Sequence, residues 1–527
     1  LSLFLFTLVR MKPSDDIFLL IKSLSVKEKL FFRKKYMLLI EDSDNNYLKL
    51  FDEISKQTAT GNAYDESKIK EGTYTGKFIK NLPFHKNYLY NSILNSLSFF
   101  HKDTNDIYSI RNILTQAEIL FGKNLLDQSL KLLHKANKIA AEKEFFSSRF
   151  ELSNSERLIK KYLCSVEDYT VLAKELFDKQ YNAIELNKNL VDFYIINEDV
   201  GIFLRSFGSG RLRDENVQLK FKKIFENPLL ENIENAKSFI TKYIFYNLWL
   251  QYYLTMEMFE DAYKCAGLAV ELCENNLVKL KDKLDNYIFS LNNLINCEIR
   301  VRKFKDAENT VIKMENVLTK HSGFITEANK VFIFYSASVM RLSMYMESFD
   351  ELKLKNTETE IRKNISVYED KITVYQRIIL YFFLSVSNFI RGEYENCIYW
   401  NGKIFNIGRT DHSEDYQCYA KIIHLISYYE LGYIDSLEYA LKSAYHFISM
   451  KKKVYRYENI IQKYLRKSFR IKTDNEMTEM FREMKDELNA LLKDPLEKNA
   501  FDAFNIIYWL DSKIKKIPVI EILKSAK

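Results

Sequence analysis

The chain is poor in the two residues that interrupt helices. Its 527 residues include only 5 prolines and 13 glycines, against average contents of about 5% and 7%. Proline removes a helical hydrogen bond and glycine weakens a helix, so a long chain with few of either is expected to be almost entirely α-helical. Aromatic residues make up 14% of the chain, and their rings can fill wide gaps between helices.

The sequence also has none of the common catalytic or metal-binding motifs. None of its six cysteines lies in a CxxC pair, which predicts buried, reduced thiols in a cytoplasmic protein. The glycines of Phe207–Arg211 lack the strand and further motif residues of a phosphate-binding loop, so a plain loop is predicted there. The segment with His412, Glu414, Asp415 and Cys418 has no zinc-site spacing. We therefore expect a protein that is not an enzyme, with no catalytic residue, cofactor or metal.

The formal net charge of +7 is small for this length and does not by itself predict a polyanionic partner. No apolar run is long enough for a membrane span. The opening Leu1–Val9 is too short for a span and has no basic region before it. Because Met11 follows closely, we expect residues 1–10 to be a mis-annotated extension.

The stretch Phe259–Cys273 indicates how the chain is built. Its alanines Ala262, Ala266 and Ala269 are spaced by four and three residues and so share one helix face. Small residues there let a neighbouring helix approach to about 8 Å. The stretch is typical of the second helix of a helical hairpin.

The start of that stretch recurs at intervals of 45 residues over four copies and once more after 40: Phe259, Phe304, Phe349, Tyr394 and Ile434. Three positions later lie Ala262, Ala307, Leu352, Cys397 and Leu437. A fixed period of this length predicts stacked hairpins, and hence an all-α solenoid over residues 106–480. In the Phe349 copy, Asn356 and Thr359 replace alanines, which indicates either a degenerate unit or a more exposed second helix.

Two other regions complete the expected organisation. Residues 11–105 are predicted to be a helical head, with a capping box at Ser25–Glu28, and residues 481–527 a helical cap. Between about 195 and 230 the repeat register is lost and three glycines cluster. We expect a long inter-helix loop there, or a break between two halves of the solenoid.

Parts of the chain resemble known proteins. The head segments Leu24–Arg33, Tyr47–Ile54, Tyr64–Glu66 and Lys86–Leu94, with the C-terminal Phe504–Ile514, are similar to a family of long, uncharacterised bacterial helical-repeat proteins. The segments Gly392–Cys397 and Gly432–Leu437 resemble tetratricopeptide repeats (TPR). The resemblance implies a right-handed TPR-like superhelix whose first helices line a concave face, and no catalytic residues. The period of 40–45 residues exceeds the TPR length of 34, so peptide-binding positions are not carried over.

A concave repeat surface predicts a non-catalytic scaffold that receives a peptide or protein. The polar or aromatic residues expected on that face are Tyr246, Asn247, Asn292, Asn293, Tyr335 and Arg341, although simple solvation explains them equally well.

The alternative is a TPR-type transcriptional regulator whose head contacts nucleic acid. In that reading Lys86–Phe100 is a recognition helix, with Lys80, His85, Lys86 and Asn87 near its start. A packing helix is the simpler interpretation. The densest basic run places Lys452, Arg456, Lys463 and Lys467 on one helix face, which indicates either a patch for nucleic acid or an acidic partner, or a solvated surface.

Overall fold

The computed structural model describes residues 15–39, 46–59, 64–70, 74, 76–102, 106–211, 215–276, 283–408, 414–449, 456–494, 497, 500–501 and 504–525. These residues form 25 α-helices and two short 3-10 turns, with no strand among them. The predicted all-α class is confirmed. The described residues divide into two compact units, and the boundary falls between Ala183 and Ile184, inside the long helix α10, Val166–Arg211.

The first unit begins with a cluster of helices that corresponds to the predicted head. Its helices are α1 Asp16–Ser23, α2 Val26–Leu39, α3 Asn46–Ala59, α4 Glu66–Lys70, α5 Gly76–Lys80 and α6 Leu82–His101. Helices α1 and α3 pack on each other and on α6, around Ile21, Phe51 and Ile93, which are fully buried. The capping box is present, because the Ser25 N–H donates to the Glu28 carboxylate at 2.7 Å and the Glu28 N–H donates to Ser25 Oγ at 3.3 Å.

The rest of the first unit is a stack of antiparallel neighbours, α7 Asp106–Gly122, α8 Leu126–Glu142 and α9 Phe146–Leu163. Each packs on the next, and α7 also contacts α9. Ser129 is buried in α8 and donates to the Ala117 carbonyl of α7 at 2.7 Å. Leu133 and Ala136 lie on the same buried face of α8, so this face packs against a neighbouring helix.

The first part of the segment near 195–230 is not the loop that one of the two predictions placed there. Residues 195–211 continue α10, and Phe207–Arg211 forms its last residues. Phe193, Ile196 and Val200 are buried at helical spacing, so an apolar stripe persists although the repeat register does not. A short helix, α11 Glu215–Ile224, follows.

The second unit contains five consecutive helical hairpins and further helices after them. Their helices are α12 Phe239–Thr255, α13 Phe259–Glu274, α14 Leu284–Arg300, α15 Phe304–Lys320, α16 Glu327–Ser348, α17 Glu351–Tyr368, α18 Val374–Ile390, α19 Tyr394–Phe405, α20 Glu414–Glu430 and α21 Ile434–Ser449. After these come α22 Arg456–Ser468, α23 Asp474–Leu491, α24 Ile507–Lys515 and α25 Val519–Ser525.

The hairpins stack as an α-solenoid. Each first helix packs on its own second helix, and α14, α16, α18, α20 and α22 contact one another in order. The first helices thus form one continuous layer, on which the second helices lie.

All five hairpin turns share one backbone device. A residue with positive φ stands two positions before each second helix, namely Glu257, Arg302, Phe349, Gly392 and Gly432. The residue after it donates its N–H to a carbonyl five positions back, for example Lys303 to Glu298 at 2.8 Å. This left-handed helix ending satisfies carbonyls that would otherwise lack a donor.

The shared turn corrects the register of the third copy. Phe349 aligns with Gly392, the turn residue, and not with Tyr394. Leu352, placed in the buried column by the sequence, is 68% exposed, whereas Leu354 is fully buried. The residues matching Ala266 and Ala269 are therefore Glu358 and Ile361, both buried. That unit is neither degenerate nor exposed; its register is shifted by two residues.

No helix among the described residues is both long and apolar enough to cross a membrane. At the end of the chain, α24 packs on α23 and α25 packs on α24. The buried Trp509 of α24 donates its indole N–H to Glu430 of α20 at 2.6 Å.

Candidate partner-binding face

We call the surface formed by α12, α14, α16, α18 and α20 on the side away from the second helices the first-helix face. Polar side chains join neighbouring helices across it. Asn293 donates to Asn247 at 3.4 Å, and Ser336 donates to Asn292. Three of the six predicted groove residues, Asn247, Asn292 and Asn293, therefore take part in hydrogen bonds between successive repeats.

Tyr246 and Arg341 lie against second helices. The Tyr246 carbonyl accepts from Cys265 Sγ of α13 at 3.2 Å. Arg341 forms a two-point ion pair with Glu315 of α15, with nitrogen–oxygen distances of 2.6 and 2.7 Å. It lines a cavity of about 210 Å³ between α15, α16 and α17. Arg341 thus faces the second-helix side of α16.

Tyr335, the last predicted groove residue, belongs to a cluster of three tyrosines on three successive first helices. Tyr375 of α18 and Tyr416 of α20 are the others. Burial, then the neighbouring hydroxyls of Tyr375 and Tyr416, raise the pKa of Tyr335. Burial, then Tyr375, raises the pKa of Tyr416 to about 12. All three therefore keep their protons at neutral pH, so each hydroxyl can donate and accept.

The three hydroxyls have no hydrogen-bond partner within the described residues. Tyr375 is 44% exposed, whereas Tyr335 and Tyr416 are partly buried. A tyrosine presents a large apolar ring and a polar tip, so a cluster of them that reaches the surface at Tyr375 is suited to contact both the side chains and the backbone of a partner.

Further rings extend this cluster along the face. The Phe289 and Phe332 rings meet at 4.5 Å between α14 and α16, and Phe289 is 44% exposed. The Phe382 ring lies 5.2 Å from that of Tyr416. Four successive first helices therefore contribute aromatic side chains.

Sequence reasoning missed Tyr375 and Tyr416, although a signal was present. They follow Tyr335 by 40 and then 41 residues, which is close to the period of the hairpins. Scanning first helices for an aromatic residue at that period would have found them.

The basic run is largely paired within the protein. Lys463 and Lys467 of α22 bind Glu487 and Glu483 of α23, at 2.8 and 2.5 Å. The Arg456 N–H donates to Glu497 at 2.9 Å, and its side chain is exposed. Lys452 lies outside the described residues.

The start of α6, the predicted recognition helix, is also engaged in packing. Lys86 is buried, pairs with Glu66 at 2.5 Å and lies over the Tyr64 ring at 5.3 Å. His85 stacks on Phe78 and hydrogen-bonds the Tyr47 hydroxyl at 2.8 Å. Lys80 and Asn87 are exposed. Nucleic-acid binding by the head stays a prediction.

Five of the six cysteines are buried, and all six are free thiols. Within the described ranges, no group of three or more His, Cys, Asp or Glu side chains is arranged to hold a metal ion. His412 lies outside those ranges. No family model matches the chain, and no curated protein has a detectably similar sequence.

Proposed function

We propose that this protein is a non-catalytic scaffold that binds an extended peptide segment of a partner protein on its first-helix face. The observation that carries the proposal is the cluster of Tyr335, Tyr375 and Tyr416, whose hydroxyls have no partner in the described chain and which reaches the surface at Tyr375. Hydroxyl groups at the edge of a packed aromatic surface are suited to bind a peptide backbone while the rings contact its apolar side chains.

Six cysteines without a disulfide bond support a reducing environment, and we propose a cytoplasmic location. The stacking of helical hairpins supports the scaffold role, since solenoids present extended surfaces without catalytic chemistry. The ion pairs of Lys463 and Lys467 reduce the charge that α22 offers to a polyanion, so the peptide is the occupant that the contacts favour.

A random-peptide display library selected on the purified full-length chain tests this proposal. Enriched peptides are then measured by titration against the wild type and a Tyr375→Ser, Tyr416→Ser double variant. Removing two central aromatic residues is expected to weaken binding by about 30-fold or more. Tyr181→Ser, which removes a solvent-exposed tyrosine of α10, is the matched control and is expected to bind as the wild type does.

Phenylalanine variants separate the rings from the hydroxyls. Replacing Tyr335, Tyr375 and Tyr416 by Phe keeps the apolar surface and is expected to weaken binding several-fold, the effect of losing hydrogen bonds of about 0.5–1.5 kcal/mol each. Peptides that bind the double serine variant as tightly as the wild type would show that the first-helix face is not the binding site.

A further inference from the structure

The fifth hairpin contains a cavity that the proposed function does not use. It has a volume of about 490 Å³ and lies between α19, α20 and α21. That volume is within the range of about 300–1,000 Å³ found for small-molecule sites. Lys421, His424 and Tyr428 of α20 line it, together with Phe405 of α19 and the highly exposed Tyr439 of α21.

Lys421 places an uncompensated positive charge in the cavity wall. Its Nζ atom lies 4.2 Å from the centre of the Phe405 ring and 4.9 Å from that of Phe447. No carboxylate in the described part of the chain forms an ion pair with it. Burial lowers the pKa of the Lys421 ammonium group. Aromatic faces attract a cation, but they do not neutralise it as an anion would.

His424 adds a second group without a partner, one helical turn away. Its Nδ1 atom is buried and makes no hydrogen bond within the described residues. The imidazole is wedged edge-to-face between Phe405 and Tyr428, with ring centres 5.1 and 4.5 Å apart. Burial, reinforced by Lys421, lowers the pKa of His424 to about 4, so the ring is neutral at pH 7 and can donate from one nitrogen.

A carboxylate at the mouth of the cavity limits how much negative charge a bound ligand can carry. Asp435 lines the cavity and is exposed at the start of α21. Its carboxylate repels a multiply charged group such as a phosphate dianion. Apart from Ser436 and Ser443, the remaining walls are apolar or aromatic, among them Leu425 and Ala444, and suit a flat hydrocarbon body.

We propose that this cavity binds a small aromatic monocarboxylate. The carboxylate accepts a hydrogen bond from the Lys421 ammonium group and a second from His424, and the ring system lies against Tyr428 and Tyr439. An anion seated there compensates a half-buried charge that otherwise has no counter-ion, and charge-assisted hydrogen bonds are the stronger kind. The proposal stands independently of peptide binding on the first-helix face.

Calorimetric titration of the full-length chain with matched probes tests it. The probes are 2-naphthoate and indole-3-acetate, each compared with its neutral amide, and inorganic phosphate. The carboxylates are expected to bind at least about tenfold more tightly than their amides, the effect of one charge-assisted hydrogen bond. Phosphate is expected to bind more weakly than either carboxylate.

Two variants and one control decide whether the cavity is responsible. Lys421→Met keeps the length of the side chain and is expected to abolish the preference for carboxylate over amide. Ser443→Phe introduces a ring at an exposed lining position and is expected to abolish binding of carboxylate and amide alike. Lys442→Met removes an exposed lysine of the same hairpin, paired with Glu438, and is expected to change nothing.

Three results would overturn the proposal. One is a wild type that shows no carboxylate binding at about 10 mM, where even a millimolar site is mostly occupied. Another is phosphate that binds as tightly as the aromatic carboxylates, which would indicate a simple anion site. The third is a preference for carboxylate that survives in both Ser443→Phe and a folded Lys421→Met variant.

Discussion

Replacing Glu358 by alanine is expected to destabilise the third and fourth hairpins, so that they unfold locally more often. Its carboxylate joins three helices, because it accepts from Asn388 of α18 at 2.9 Å and from Trp400 of α19 at 3.1 Å. It also pairs with Arg391, whose side chain is only 2% exposed. Arg362, on the same helix α17, adds a bond of 2.8 Å.

The size of the effect follows from what the substitution leaves behind. Arg391 would keep a buried charge that is offset only by Glu393 at 3.5 Å, and the Trp400 N–H and one Asn388 N–H would lose their acceptor. Breaking one partner out of a buried ion pair costs about 3–5 kcal/mol. Burial opposes ionisation of Glu358, but the bonds from Asn388 and Trp400 and the charge of Arg391 outweigh it, so the pKa of the carboxyl lies below its ordinary value. The stabilisation is therefore lost as pH falls through that lowered pKa.

Hydrogen exchange measured peptide by peptide is the appropriate assay, because a chain with two units need not unfold in one step. Amides of residues 351–405 are expected to exchange roughly two to three and a half orders of magnitude faster in Glu358→Ala, which corresponds to the cost above. The control is Glu438→Ala, which removes an exposed pair with Lys442 and is expected to cost about 0–1 kcal/mol.

A double variant, Glu358→Leu with Arg391→Met, examines the cause. Removing both charges leaves no isolated buried ion, because Arg362 and Glu393, which lose a partner, are 38% and 36% exposed, so exchange is expected to return most of the way to wild-type rates. If exchange in Glu358→Ala is as slow as in the control Glu438→Ala, Arg391 must be able to reach solvent at little cost in free energy. The claim that this network holds the hairpins together would then be refuted.

Three further predictions concern stability. Glu298 is buried, its Oε2 atom has no partner, and burial raises the pKa of its carboxyl from 4.5 to about 7. The free energy of unfolding should therefore fall by roughly 2–3 kcal/mol as the pH rises from about 4.5 to 7. Glu298→Gln should abolish this pH dependence in urea titrations. Arg302→Gly relieves a positive φ of 60° at an exposed turn and should raise the melting temperature, whereas Gly392→Ala should lower it, each by the equivalent of about 1 kcal/mol. Glu66→Ala leaves Lys86 buried and unpaired, so it should destabilise the first unit by about 3 kcal/mol, and unchanged exchange in residues 76–102 would contradict this.

The fold could be predicted because stacked hairpins require small or apolar residues at a regular spacing in the sequence. The column Ala262, Ala307, Cys397 and Leu437 is almost fully buried, and its spacing alone identifies the repeat. This spacing is misleading at Phe349. In other copies an aromatic residue begins the second helix, but Phe349 lies in the turn before it, with a left-handed backbone conformation. Such a residue is rarely found at positive φ, so the sequence favoured the wrong register by two residues.

The same limit explains the segment near residues 195–211. Three glycines there weaken a helix by up to about 1 kcal/mol each, and that local signal predicted a loop. The buried stripe of Phe193, Ile196 and Val200 provides tertiary packing that outweighs the propensity, as packing commonly does. The periodicity of those three residues was visible, but their burial depends on neighbours distant in sequence.

The binding face could be predicted only in part, because a polar first-helix residue can serve either packing or recognition. Asn292 and Ser336 are 44 residues apart and hydrogen-bond each other, whereas Tyr335 and Tyr375 are 40 apart and neither hydroxyl has a partner within the described residues. Composition and helix position are alike in the two cases. The difference is whether the neighbouring repeat places a hydrogen-bonding side chain within reach. That depends on the distance and offset between the two helices, which the local sequence does not determine. A polar residue recurring at the repeat period is therefore a candidate for recognition only after pairing between repeats has been excluded.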